Sequence, residues 1–142
     1  MGCDIHAFIE KQIKPDGHWQ SRKEELYIGR DYDLFALLAD VRNYHSIPAI
    51  ALPKGIPNNS SQRIQKEYAR WDSDAHSASY LTASALHNQI STLGKNKIES
   101  LLLSQTASWV NWVKEPLIPI YEALIKYHPI PEQVRLVFWF DN

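Results

Sequence analysis

The residues best suited to chemistry in this chain are two Asp-x-His pairs, Asp4-Ile5-His6 and Asp74-Ala75-His76. On a strand, side chains alternate between faces, so Asp4, His6, Phe8 and Glu10 share one side while Cys3, Ile5, Ala7 and Ile9 share the other. A carboxylate and an imidazole on one strand face offer two ligands to a metal ion, or let the carboxylate orient a base; a solvated strand face accounts for the same pair. The second pair lies in Trp71-Asp72-Ser73-Asp74-Ala75-His76-Ser77-Ala78-Ser79-Tyr80, where carboxylates, an imidazole and hydroxyls are bracketed by aromatic residues. That composition suits a recognition loop, with local turns and helix capping as the plainer alternative. A calcium loop is disfavoured, because His76 and Ser77 stand where Asp or Asn and then Gly are needed. If the last strand runs antiparallel beside the first, Asp141 joins Asp4 and His6 at one edge of the sheet. A metal-dependent hydrolase or phosphodiesterase would then draw on Asp4, His6, Asp74, His76 and Asp141, since three protein ligands and an open position suffice to activate a water.

Cations stand beside aromatic residues: Arg30 near Tyr32, Arg42 near Tyr44, Arg70 next to Trp71, and Lys54 in a proline-containing loop. A small phosphorylated nucleotide needs a few such donors for its phosphates and aromatic faces for its base. The residues expected to line such a pocket are Asp4, His6, Arg30, Tyr32, Arg42, Lys54, Arg70, Trp71, His76, Ser77, Ser79 and Tyr80. This reading requires no cofactor; a divalent metal belongs only to the hydrolase reading. A homo-oligomer is expected with it, because a symmetric interface lets two small domains close over one ligand. There is no Walker loop, Rossmann glycine pattern, G-x-S-x-G elbow, H-E-x-x-H or CxxC pair. Cys3, on the apolar face of its strand, reads as a small core residue.

The elements that must position these groups follow from periodicity. Residues 3–13 read as a strand, Lys14-Pro15-Asp16-Gly17 as a turn, and 18–28 as the second arm of a hairpin diluted by Arg22-Lys23-Glu24-Glu25. Leu34, Phe35, Leu37, Leu38 and Val41 fall at helical spacing after Asp31, predicting a helix over 32–42. A loop spans 43–60, a polar surface helix follows Ser60-Ser61 to Arg70, and 72–77 read as a polar loop before a short helix, 83–90, capped by Thr82. Ile98, Leu101, Leu102, Trp109, Val110 and Val113 trace a helix over 95–113, Pro116 opens another, and 134–140 form a β-rich final strand. The expectation is one α+β domain, 1–142, with a small antiparallel sheet (N-terminal hairpin plus C-terminal strand) covered by helices on one face.

With 142 residues, 44% hydrophobic and 11% aromatic, the chain can bury one real core, which excludes a disordered or fibrous class. A formal charge of −1 argues against long nucleic acid or an anionic membrane bound through massed positive charge. A lone cysteine and an N-terminus carrying Asp4 and His6 point to a cytoplasmic protein without a signal peptide. No apolar run reaches a membrane span of about 18 residues, and His6 breaks the myristoylation pattern after Gly2.

The stretches Met1-Gly2-Cys3-Asp4-Ile5-His6, Arg30-Asp31-Tyr32-Asp33-Leu34-Phe35-Ala36-Leu37-Leu38-Ala39, Pro53-Lys54-Gly55-Ile56-Pro57, His76-Ser77-Ala78-Ser79-Tyr80-Leu81-Thr82 and Val137-Phe138-Trp139-Phe140-Asp141-Asn142 resemble a family of small bacteriophage and prophage proteins that begin Gly-Cys-Asp-Ile-His. The resemblance extends over the whole chain. It implies a viral origin, the cytosol of a host cell and, by analogy with other small phage proteins, a counter-defence role such as sequestering a nucleotide immune signal. The residues and the resemblance together favour a nucleotide-binding module. A metal-dependent hydrolase, or a phage protein that inhibits a host protein by direct contact, are the alternatives.

Overall fold

A computed structural model of the chain describes residues 2–15, 17–102 and 109–142, with side chains in 94–113 excepted. The first strand, β1 (Asp4–Gln12), turns back through Lys14, whose carbonyl accepts from Gly17 N–H at 2.8 Å, into β2 (Trp19–Ser21). The second arm is much shorter than the 18–28 predicted. Strand alternation would drive half of the charged run Arg22–Glu25 toward the core, so pairing ends and resumes only as the single bridge between Ala7 and Leu26. Helix α1 (Tyr32–Ala39) begins where Asp31 accepts from Leu34 N–H at 3.1 Å and ends at Asp40, which takes the left-handed conformation, φ 59°. It stops short of residue 42, and Leu34 through Ala39 are all buried, so the helix is enclosed by the core.

Helix α2 (Gln62–Trp71) starts at Ser61, and a short 3₁₀ turn, Asp72–Asp74, leads into β3 (Ala75–Thr82). The polar loop expected over 72–77 is therefore partly strand. Small polar residues there form β because β4 (Val134–Asp141) presents a partner, and a register shift between His76 and Ser79 absorbs Ser77 at φ 54°. Helix α3 (Ala83–Leu102) runs well beyond residue 90, and α4 (Trp109–Tyr127) holds Pro116 and Pro119 inside it rather than at its first turn. Each proline removes a helix N–H, and burial of Leu117, Ile120 and Leu124 holds the helix through both. Residues 103–108 of the helix predicted over 95–113 lie outside the described residues.

The sheet is antiparallel, in the order β2-β1-β4-β3, and the first and last strands pair from Asp4 with Asp141 to Lys11 with Val134. The α+β class is as expected, but both faces are covered. Ile5, Ala7, Ile9, Leu136, Phe138 and Phe140 pack with α1, α3 and α4, while Phe8, Val137 and Trp139 pack with Ile64, Tyr68 and Trp71 of α2. Double coverage explains why every residue from Val134 to Phe140 is buried.

On the α2 face, successive cross-strand pairs are Asp4 with Asp141, His6 with Trp139, Phe8 with Val137 and Glu10 with Arg135. The last pair is a buried ion pair: Arg135 Nε donates to Glu10 Oε1 at 2.8 Å. Glu10 also accepts from Ser61 N–H at 2.7 Å and Ser60 Oγ at 3.4 Å, and Arg135 Nη2 donates to Asn59 Oδ1 at 3.0 Å. Burial pushes the Arg135 guanidinium below its ordinary pKa, opposed by the Glu10 carboxylate, and the Trp19 ring lies 3.7 Å from its central carbon. Removing one partner strands the other charge in the core, so Glu10→Ala should cost about 3–5 kcal/mol by urea unfolding. Joint replacement of Glu10 and Arg135 by leucine should cost much less than the sum of the two single changes.

Candidate functional site

The end of the sheet where β1 begins, β4 ends and β3 begins carries both histidines of the two Asp-x-His pairs. His6 pairs across the sheet with Trp139, and His76 pairs with Phe140. Trp139 and Phe140 are consecutive, so the two imidazoles point to opposite faces. The ring contacts agree: His6 stacks on Trp139 at 6.2 Å, and His76 stacks on Phe140 at 6.1 Å. The five residues expected to converge on one metal are thereby divided: Asp4, His6 and Asp141 gather on the α2 face, and His76 lies on the other.

On the α2 face, His6 Nε2 lies 2.6 Å from Asp141 Oδ2 and its Nδ1 lies 3.4 Å from Glu25 Oε1. The indole of Trp71, at the last position of α2, covers the ring at a centroid distance of 4.1 Å. Asp4 accepts from Arg30 Nε and Nη2 at 3.0 and 3.1 Å, a two-point pairing that holds the Asp4 carboxyl below the ordinary carboxylate pKa. Asp4 and His6 line a cleft of about 500 Å³ together with Arg30 and the segment from Glu25 to Ile28.

On the opposite face, α1 and the loop after it build a second cluster. Asn43 staples that loop, donating to Asp40 Oδ1 at 2.8 Å and Ile47 O at 2.7 Å, and accepting from Ile47 N–H at 2.8 Å. The staple presents Arg42, at φ 51°, over the Tyr32 ring, 5.4 Å from its centroid. Arg42 Nη1 donates to the Tyr44 hydroxyl at 3.3 Å and Nη2 to Asn142 Oδ1 at 3.4 Å; the bond to Tyr44 raises the Arg42 pKa. The same Asn142 oxygen lies 3.1 Å from His76 Nε2, and His76 Nδ1 lies 3.0 Å from Ser77 Oγ.

The remaining expected residues sit apart. Lys54 Nζ is 4.1 Å above the Tyr80 ring and Lys54 N–H donates to Ser79 Oγ at 3.2 Å, beside Arg135. Burial, reinforced by Arg135, pulls the Lys54 pKa down. Arg70 pairs with Glu67 at 3.2 Å, and together with Trp71 and Asp74 they line a shallow groove. Thus Asp4, His6, Arg30, Trp71 and Asp141 come together, as do Tyr32, Arg42, His76 and Ser77, while Lys54, Ser79 and Tyr80 form a third place and Arg70 and Asp74 a fourth.

Among the described residues, no group of three or more His, Cys, Asp or Glu side chains is placed to hold a metal ion. Cys3 is fully buried and its thiol pKa is raised, chiefly by burial, so it behaves as a core residue. No described helix is long and apolar enough to cross a membrane. The sequence reading missed Glu25 and Asn142, the partners of His6 and His76. Glu25 stood in a charged run that read only as frayed strand, and Asn142 had no signal beyond its place beside Asp141. Comparison with known protein families, curated proteins and solved structures finds no match to the chain.

The Asp4–Arg30 pair has a pH signature. Because the folded pKa is depressed, its stabilisation is full above the ordinary carboxylate value of about 3.9 and is lost as pH falls through the lower folded value. Carboxyl-carbon NMR titration should place Asp4 below the ordinary carboxylate value, and Arg30→Gln should return it toward that value.

Proposed function

We propose that the chain is a binding module for a small phosphorylated nucleotide, seated on the cluster of Tyr32, Arg42, Tyr44, His76, Ser77 and Asn142. One observation carries the reading. Among the described residues no carboxylate pairs with Arg42, whose guanidinium is instead held by a tyrosine hydroxyl, an amide oxygen and the Tyr32 ring. A cation oriented by neutral groups keeps its charge available to an anion, whereas Arg30 is already paired with Asp4. Tyr44, 67% exposed, offers a face on which a base can stack. Two of the non-glycine residues with positive φ, Arg42 and Ser77, lie in this cluster, and such conformations gather where a site demands them.

The division of the two Asp-x-His pairs between sheet faces weighs against the hydrolase that would use Asp4, His6, Asp74, His76 and Asp141 together. Among the described residues, His76 of the Arg42 cluster meets the Ser77 hydroxyl and the Asn142 amide oxygen rather than a carboxylate; the imidazole beside the cluster that a carboxylate does hold is His45, on Asp33 at 2.7 Å. The resemblance to small phage proteins supplies the setting: sequestration of a host nucleotide signal in the cytosol, with a symmetric second copy closing over the exposed aromatic faces.

Calorimetric titration with mono-, di- and cyclic nucleotides, with and without Mg²⁺, Mn²⁺ and Zn²⁺, should find micromolar binding that is independent of metal. Heat denaturation should then release the nucleotide intact. Arg42→Ala should weaken binding by about 1.5–3 kcal/mol, the range for a hydrogen bond to a charged group, while Arg30→Ala should leave it unchanged. No binding by any nucleotide overturns the reading, and metal-dependent consumption replaces it with the hydrolase.

A further inference from the structure

The outer edge of β1 has a gap in its hydrogen bonding. Odd-numbered residues of this strand turn their backbone groups away from β4: Ile9 C=O accepts from Arg22 N–H at 2.7 Å, and Ala7 C=O from Leu26 N–H at 2.9 Å. At the far end, Cys3 N–H donates to the Tyr32 hydroxyl at 3.1 Å. The same alternation aims the N–H and C=O of Ile5 outward, and no described group bonds to them there. Ile5 is 7% exposed, and the space its edge faces is the cleft of about 500 Å³, with Leu26 and Ile28 along its wall. An amide donor and acceptor facing a largely apolar cleft lack the partners that most buried backbone groups possess.

We propose that this cleft receives an extended peptide segment of a partner protein, which pairs with Ile5 as an added strand and carries Lys or Arg beside the paired residue. Strand addition supplies both missing hydrogen bonds at once. Alternation fixes the charge preference, because side chains flanking the residue opposite Ile5 fall on the face of Asp4 and His6. There Asp4 is occupied by Arg30, but the Glu25 carboxylate, 47% exposed, meets among the described residues only the His6 imidazole, at 3.4 Å. A basic side chain completes that pairing. Tyr27, 88% exposed at the rim, adds an aromatic face suited to a cation or its aliphatic stem. This site lies on the side of the sheet opposite Arg42 and is independent of the nucleotide reading.

The test uses the full chain and synthetic peptides observed by amide NMR. Acetyl-Lys-Val-Lys-amide, short enough to lie between the Leu26 bond to Ala7 and the Tyr32 bond to Cys3, should shift the Ile5 amide and slow its exchange with solvent. The counterpart with Glu in place of Lys, and the peptide N-methylated at its central Val, should do neither. Glu25→Gln should weaken the Lys peptide roughly two- to fivefold, as for a half-exposed ion pair. The proposal is overturned if the Lys peptide leaves Ile5 unshifted at millimolar concentration or if the Glu peptide binds equally well. It is also overturned if arginine amide alone reproduces the affinity and shifts, which would make the cleft a simple cation pocket.

Discussion

The placement of α2 depends on a single buried carboxylate. Glu10 projects from β1 into the second face of the sheet, where it meets Arg135 of β4, the Ser61 N–H and the Ser60 hydroxyl just ahead of α2. A negative charge at a helix N-terminus is favoured by the helix dipole, and here the same charge neutralises a guanidinium that cannot shed its proton. The two strands and the helix start are thus fixed to one another by a group that tolerates little displacement. From that anchor α2 runs about 15 Å along the strands. Its last residue, Trp71, then falls over His6. The far end of the helix, and with it the cover of the imidazole, inherits its position from the ion pair.

Strand β4 imposes the second constraint. It is the only strand flanked by β1 and β3, and consecutive side chains in it must serve different layers. Trp139 faces α2 and Phe140 faces the three-helix layer, so whatever pairs beside them is sorted by the same parity. His6 and His76 resemble each other in sequence but take opposite sides for this reason alone. The outcome is two polar clusters back to back at one end of the sheet, one rich in carboxylates around an imidazole, the other built around a guanidinium held by neutral groups. Their charge differs accordingly: the first presents carboxylates and the second a guanidinium held by neutral groups. The buried residues of β4 separate the two clusters.

Much of this was legible in the sequence. The alternation of residues 4–10, the apolar density of 134–140, the Asp31 and Ser61 caps and the dense apolar stretch of α1 are local signals, and each produced the element it announced. The approach of Asp141 to Asp4 and His6 followed from treating the two terminal strands as partners. The sequence alone did not reveal β3, because His76-Ser77-Ala78-Ser79 has no β pattern of its own and becomes strand only where β4 offers an edge. Nor did it reveal the second covered face, since α2 is polar along most of its length and buries only Ile64 fully, with Tyr68 and Trp71 in support. Residue order therefore determined which side chains share a strand face. Tertiary pairing decided which faces meet, because the parity of a register and the partner of a buried charge are settled between segments far apart in the chain.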